Sequence, residues 1–297
     1  MDATDEYCRV ADATGQKTLQ FFCQTIDRLY GAKYLRKPDQ NDMTRLLDVN
    51  ARRGFPGCLG SLDCMHWEWK NCPSALAGQY KGKEKKPTIV LEAAADQRLW
   101  IWHSFFGTAG ALNDINILER SSVFEERLAG TSWDVAFEVC GRKYNHGYYL
   151  VDGIYPPWAT LIKAKVVSQD APSKHFQTLQ EAFRKDIERA FAVLQSKWAI
   201  VTLPARFWSP DDMVTIMRTC VILHNMIVED HERDSTDRYK LPPGTVLIPP
   251  RHIPYSFREQ QVRTIEMRSG AQHRRLTNNL IIFNWNRLGA RVRNTEE

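Results

Sequence analysis

The chain has 297 residues, of which 43% are apolar, 25% charged and 11% aromatic, with 16 glycines and 14 prolines. This composition excludes a disordered, collagen-like or low-complexity chain, and the length allows one or two domains with a sizeable core. Forty Lys and Arg against 35 Asp and Glu leave +5, and residues 251–297 hold nine Arg, no Lys and four Glu, so the whole excess sits in an Arg-only tail.

The N-terminal stretch MDATDEYCRVADATG is acidic and polar, unlike a secretory leader. No run approaches the roughly 20 apolar residues of a membrane helix, which points to a soluble intracellular protein. Leu19, Phe22, Ile26 and Leu29 recur at helical spacing and predict a helix over 17–31, with Gly31 as its C′ residue. A second short helix is expected over 40–49. A Gly-Phe-Pro-Gly turn then leads into a strand over 57–69. A loop carrying Lys81, Lys83, Lys85 and Lys86 separates this strand from a hairpin of two strands, 87–96 and 99–107, which turns at Asp96-Gln97-Arg98. Residues 111–120 read as a short helix, and 146–153 as a buried strand ended by Gly153, Pro156 and Pro157.

From Phe176 through Leu179, Phe183, Ile187, Phe191 and Leu194 to Trp198 the apolar positions step by three and four. That is one core-facing helical stripe, with Ser173 as its expected N-cap. Further helices are expected over 210–231 and 270–290, and the polar, proline-rich stretch 232–250 reads as a linker. The order predicts a mixed α/β fold: a mixed β-sheet flanked by helices, with short helical additions at both ends. Seven cysteines form no CxxC pair. Cys58, Cys64 and Cys72, with His66 among them, are irregularly spaced for zinc, so reduced thiols are expected.

Three acids sit in apolar surroundings. Asp63 lies mid-strand in LGSLDCMHW, Asp152 ends YYLVDG, and Glu188 follows Ile187 of the apolar stripe. An ionised carboxylate there is costly unless it is paired with Lys or Arg or binds a metal. Asp114 opens a helix, where a short acid also caps amides. Two strand acids and one helix acid suit a pair of Mg²⁺ ions, which prefer hard oxygen ligands and stabilise both oxygens of an in-line phosphoryl displacement.

Five pieces in order carry a resemblance: Gly60-Ser61-Leu62-Asp63-Cys64-Met65-His66, Asn113-Asp114-Ile115-Asn116-Ile117-Leu118, Asp152-Gly153-Ile154-Tyr155-Pro156, Ile187-Glu188-Arg189-Ala190-Phe191 and Val221-Ile222-Leu223-His224-Asn225-Met226. Together, with Asp152 and Glu188 separated by 36 positions, they resemble the PIF/Harbinger superfamily of DDE transposases and the nucleases derived from it, from about Phe55 to Glu229. The resemblance implies an RNase H-like nuclease domain over 55–231; a helical segment 1–54 precedes it, and a linker 232–250 and a basic helical tail 251–297, packing on or beside the catalytic domain, follow.

It further implies a catalytic, metal-binding triad of Asp63, Asp152 and Glu188, with Asp114 as a fourth ligand and Mg²⁺ or Mn²⁺ as cofactor. Water would cut DNA at transposon ends to leave a 3′-hydroxyl that attacks target DNA, with no catalytic Ser, Tyr or Cys. His66 and His224 match family positions and read as core or supporting groups, and Val151 stands where the family often has Gly. The loop lysines and tail arginines such as Arg274 and Arg275 are expected to meet phosphate. About 54 residues precede the match, so a separate Myb-like DNA-binding partner is expected, with action in the nucleus and a homo-oligomeric assembly. Two other readings stand beside this one: a domesticated derivative that binds DNA or protein without cutting, and an unrelated fold in which the acids form structural ion pairs.

Overall fold

The structure is a computed structural model that describes residues 11–83, 85–164, 170–231 and 238–293. Two helices, α1 (Asp12–Tyr34) and α2 (Gln40–Arg52), lead into β1 (Cys58–Glu68). A short helix α3 (Ser74–Tyr80) precedes the hairpin of β2 (Thr88–Ala95) and β3 (Ile101–Ala109). Then come α4 (Asp114–Arg120), a 3₁₀ turn (Ser122–Phe124), α5 (Glu125–Ala129), β4 (Asp134–Val139), β5 (Arg142–Tyr144), β6 (Tyr148–Leu150) and β7 (Leu161–Ile162). The chain closes with α6 (Ala171–Lys197), α7 (Ala199–Thr202), α8 (Pro210–His231), β8 (Val246–Ile248), α9 (Phe257–Met267) and α10 (Gly270–Arg293).

The main sheet has the order β3-β2-β1-β6-β7. β1–β2 and β2–β3 pair antiparallel, whereas β6 and β7 run parallel to β1. This mixed sheet flanked by helices is consistent with an RNase H-like fold. β2 is buried along its whole length because helices cover the sheet. The α6 stripe of Phe176, Phe183, Ile187, Phe191 and Leu194 is buried as its spacing requires. α6 packs on β1 and α10 packs on α6, while α8 lies against β3 and α1.

The His224-Asn225 pair of α8 is structural. His224 Nε2 donates to the Leu99 carbonyl at 2.7 Å, and burial pushes its pKa below the usual imidazole value. Asn225 is 0% exposed. Its side chain accepts from Ile101 N and donates to the Tyr34 and Ile101 carbonyls at 2.8–2.9 Å. One amide thus joins α8, β3 and α1. Asn225→Ala strands these buried backbone groups and is expected to cost about 3 kcal/mol, read as a lower urea midpoint with unchanged slope.

Several expectations need correction. Gly31 lies inside α1, which runs on to Tyr34 because Tyr34 is buried against Trp100 and its hydroxyl donates to Glu229. The N-cap of α6 is Asp170, whose carboxylate accepts from the Ser173 amide at 2.8 Å; Ser173 is the residue being capped. In the expected linker, Val246–Ile248 pair with β4 and complete a second antiparallel sheet, β5-β4-β8; residues 232–237 lie outside the described residues. The tail is expected to pack on or beside the catalytic domain; Leu276, Leu280 and Ile281 of α10 are buried, while Arg274 and Arg275 are exposed. Removing 251–297 would therefore unmake packing as well as charge.

Candidate active site

Two hydrogen bonds set α6 against the sheet. Ser61 Oγ of β1 donates to the Phe183 carbonyl at 3.2 Å, and Gln180 Nε2 of α6 donates to the Val151 carbonyl at 2.8 Å. The first lies beside Arg184 and the second beside Asp152. Gly60, at a bulge where β1 meets β6, lets β1 approach the Ala95 carbonyl, which a Cβ would meet at 2.5 Å. Asp152 follows β6 and accepts from the Ile154 amide at 2.6 Å. Lys163 then fastens the next turn, donating to the Gly153 and Tyr155 carbonyls at 3.0 and 2.6 Å.

Asp63 and Glu188 meet through one guanidinium. Arg184 Nη1 donates to Asp63 Oδ2 at 3.1 Å, and its Nη2 lies 2.9 Å from Glu188 Oε1, one helical turn along α6. The other Asp63 oxygen accepts from the Cys64 amide at 2.9 Å. Burial pushes the Asp63 carboxyl up to about 6, against Arg184, with the charges of Asp152 and Asp114 adding to the rise. Burial also raises Asp114, and Asp152 raises it further. Asp63, Asp114 and Asp152 are thus mutually repelling neighbours.

The expected capping role of Asp114 belongs to Asn113, whose side chain accepts from the Asn116 amide at 2.9 Å. Asp114 instead feels the charges of Asp152 and of His66, which is bonded to Thr88 Oγ1 at 2.9 Å. With Arg184 spanning Asp63 and Glu188, no group of three or more His, Cys, Asp or Glu among the described residues could hold a metal as the side chains stand. The donor set, all carboxylate oxygen with one arginine against four acids, fits a hard divalent cation in chemistry and charge; a bound ion needs Arg184 to move aside.

The most buried acids are others. Asp186 is 0% exposed and paired with Arg53 and Arg189. Asp96 takes Arg45 and the Trp102 indole, Glu92 takes His103 and Ser121, and Asp134 takes His146 and Arg263. The expectation of apolar surroundings for Asp63, Asp152 and Glu188 holds only in part: Asp63 and Asp152 are half-buried and Glu188 is exposed.

The raised Asp63 carboxyl makes a pH prediction. The folded chain keeps this proton to about 6, whereas 3.8 is its ordinary value, so between these values the unfolded state binds fewer protons and stability falls as pH rises. In EDTA, wild type is expected to lose more stability than Asp63→Asn between pH 4.5 and 7.5; parallel denaturation curves for the two would refute this.

Lys81, Lys83, Lys85 and Lys86 are exposed, with Lys86 3.0 Å from Glu68. Their loop packs Gly82 onto Gly110, in the turn that leads to Asp114. Arg274 lies with Lys163 around His273, and Arg275 beside Tyr144 of β5. Two residues escaped sequence reasoning. Arg184 was legible as an i,i+4 partner of Glu188. Trp208 is 72% exposed beside a segment tied to the end of β1, where the Trp67 and Trp69 indoles donate to the Leu203 and Phe207 carbonyls.

The family described as Plant transposon protein matches residues 32–236. Protein ALP1-like from Arabidopsis thaliana is 25% identical over 197 residues, covering 62% of this chain and 46% of that protein, so the chain spans less than half the length of this curated relative. No solved structure matches the chain.

Proposed function

We propose that this chain, which belongs to the plant transposon protein family, is a metal-dependent DNA endonuclease and strand transferase of the PIF/Harbinger type. The observation that carries the reading is the meeting of Asp63 from β1 with Glu188 from α6 at one cation, Arg184, beside an Asp152 close enough to raise the Asp63 carboxyl. Asp63, Asp152 and Glu188 would hold the metal, with Asp114 as a further ligand. Bound Mg²⁺ or Mn²⁺ supplies Lewis-acid charge to the phosphate and acidifies water.

The chain's own residues do the rest. The Ser61 and Gln180 hydrogen bonds hold Asp63, Asp152 and α6 in register. Lys163 fixes the loop after Asp152. The exposed lysines, with Trp208 offering a ring face, suit a DNA backbone and an unstacked base. The reading also assigns end recognition to a Myb-like partner protein, with assembly as a homo-oligomer and action in the nucleus.

Cleavage of duplexes carrying the element's own ends tests the reading. Nicking that needs Mg²⁺ or Mn²⁺, stops with EDTA and leaves an extendable 3′-hydroxyl is expected. A second reading, DNA binding without cutting, draws on the closure of Asp63 and Glu188 around Arg184; metal-independent binding with no cleavage would favour it. For the lysine loop, replacing Lys81, Lys83 and Lys85 with Ala is expected to weaken DNA binding and flatten its log–log salt slope by about 0.9 per lost phosphate contact. An unchanged slope would assign the loop to solvent.

A further inference from the structure

We infer that Arg184 is a resident counter-ion of the carboxylate site, which holds Asp63 and Glu188 together in the metal-free protein and is displaced when a divalent cation binds. The inference rests on the proposed reading of these two acids as metal ligands. Its basis is the geometry of the fork. Arg184 does not grip one carboxylate with two parallel bonds; it gives Nη1 to Asp63 at 3.1 Å and Nη2 to Glu188 at 2.9 Å. A split fork lacks the bidentate geometry that makes arginine pairs strong, yet it places one positive charge between two acids from different elements.

Exposure makes the contact exchangeable. The side chains of Arg184 and Glu188 are 24% and 46% exposed, so the guanidinium can turn to water while its stem stays on the protein. A neighbouring acid of the same helix is held differently: Asp186 is 0% exposed and takes two arginines, Arg53 from the end of α2 and Arg189, and the Arg53 guanidinium lies 3.6 Å from the Phe183 ring centroid. α6 therefore carries a fully buried, doubly paired acid at Asp186 and, two residues further on, an exposed acid, Glu188, that shares its one arginine with Asp63. If Arg184 leaves with nothing in its place, Asp63 and Glu188 lose the one cation that the structure sets between them. A divalent oxygen-seeking ion offers these acids more charge than one guanidinium does. A competing internal cation lowers apparent metal affinity by the fraction of time that it occupies the acids.

The test titrates Mn²⁺ into the full chain without DNA and follows free Mn²⁺ by electron paramagnetic resonance. Wild type is expected to bind. Arg184→Gln is expected to bind about tenfold tighter, because the competitor is gone. Arg184→Lys, a point charge that cannot span both acids, is expected to fall between the two. In EDTA, Arg184→Gln should melt below wild type, and saturating Mn²⁺ should close the gap. Should Arg184→Gln prove too unstable to titrate, the Lys variant carries the comparison alone. Wild-type binding with equal or weaker binding by the variants overturns the inference and leaves the metal-ligand reading standing. Absence of Mn²⁺ binding in wild type and variants alike overturns that reading and the inference with it.

Discussion

Asp63→Asn, Asp152→Asn and Glu188→Gln are each expected to lower DNA cleavage about 10³-fold or more while the chain stays folded. Each substitution keeps shape and removes one negative oxygen donor. Metal charge stabilises a phosphoryl-transfer transition state by several kcal/mol, and each 1.36 kcal/mol lost is a factor of ten in rate. Folding should survive because these acids contribute little to the core. Glu188 is exposed and Asp152 only closes its own turn with Ile154. Burial raises the Asp63 carboxyl above its ordinary value, so its charge costs the fold stability at neutral pH. Asp114→Asn should cost less, about 10- to 100-fold, because Asp114 stands outside the Asp63–Arg184–Glu188 contact. Near-wild-type rates in any one of the three would remove that residue from the site.

Asp186→Ala, two positions from Glu188, is expected to do the reverse: a large loss of stability and little specific loss of chemistry. Asp186 is 0% exposed and paired with both Arg53 and Arg189. Removing it leaves the Arg53 guanidinium over the Phe183 ring without a partner anion. Breaking a buried pair in this way costs about 3–5 kcal/mol, which for a chain of this size lowers Tm by about 10 °C. Thermal unfolding checks it, and cleavage per folded molecule should stay within a fewfold of wild type. A Tm near wild type would mean that Arg53 finds water or another acid.

The Asp186 and Glu188 pair also marks where reading a sequence stops. The spacing from Phe176 to Trp198 identified α6 and its buried face, because a 27-residue helix repeats its pattern many times. The β2–β3 hairpin was legible for a similar reason, with two apolar runs around an Asp-Gln-Arg turn. Periodicity says which face turns inward but not what lies over it. It does not reveal that Arg53, 133 positions upstream, covers Asp186, or that Arg184 reaches Asp63. β4, β5 and β8 have three to six residues each, too short for a period, and β8 sits among prolines. α9 was masked by its arginines, since a long charged side chain can flank a buried stripe, whereas the apolar steps Leu276 and Leu280 of α10 were legible and are buried. The capping of Asp114's helix by Asn113 was in the sequence, and the acid drew the eye instead.

The most direct test of the proposed chemistry is anomalous diffraction from crystals of the full chain grown with Mn²⁺ and a DNA end. The expected result is manganese density touching the carboxylates of Asp63, Asp152 and Glu188, as two ions about 3.5–4 Å apart, with the Arg184 guanidinium turned away from the acids. Manganese-free carboxylates with Arg184 still spanning Asp63 and Glu188, in crystals that hold DNA, would contradict it.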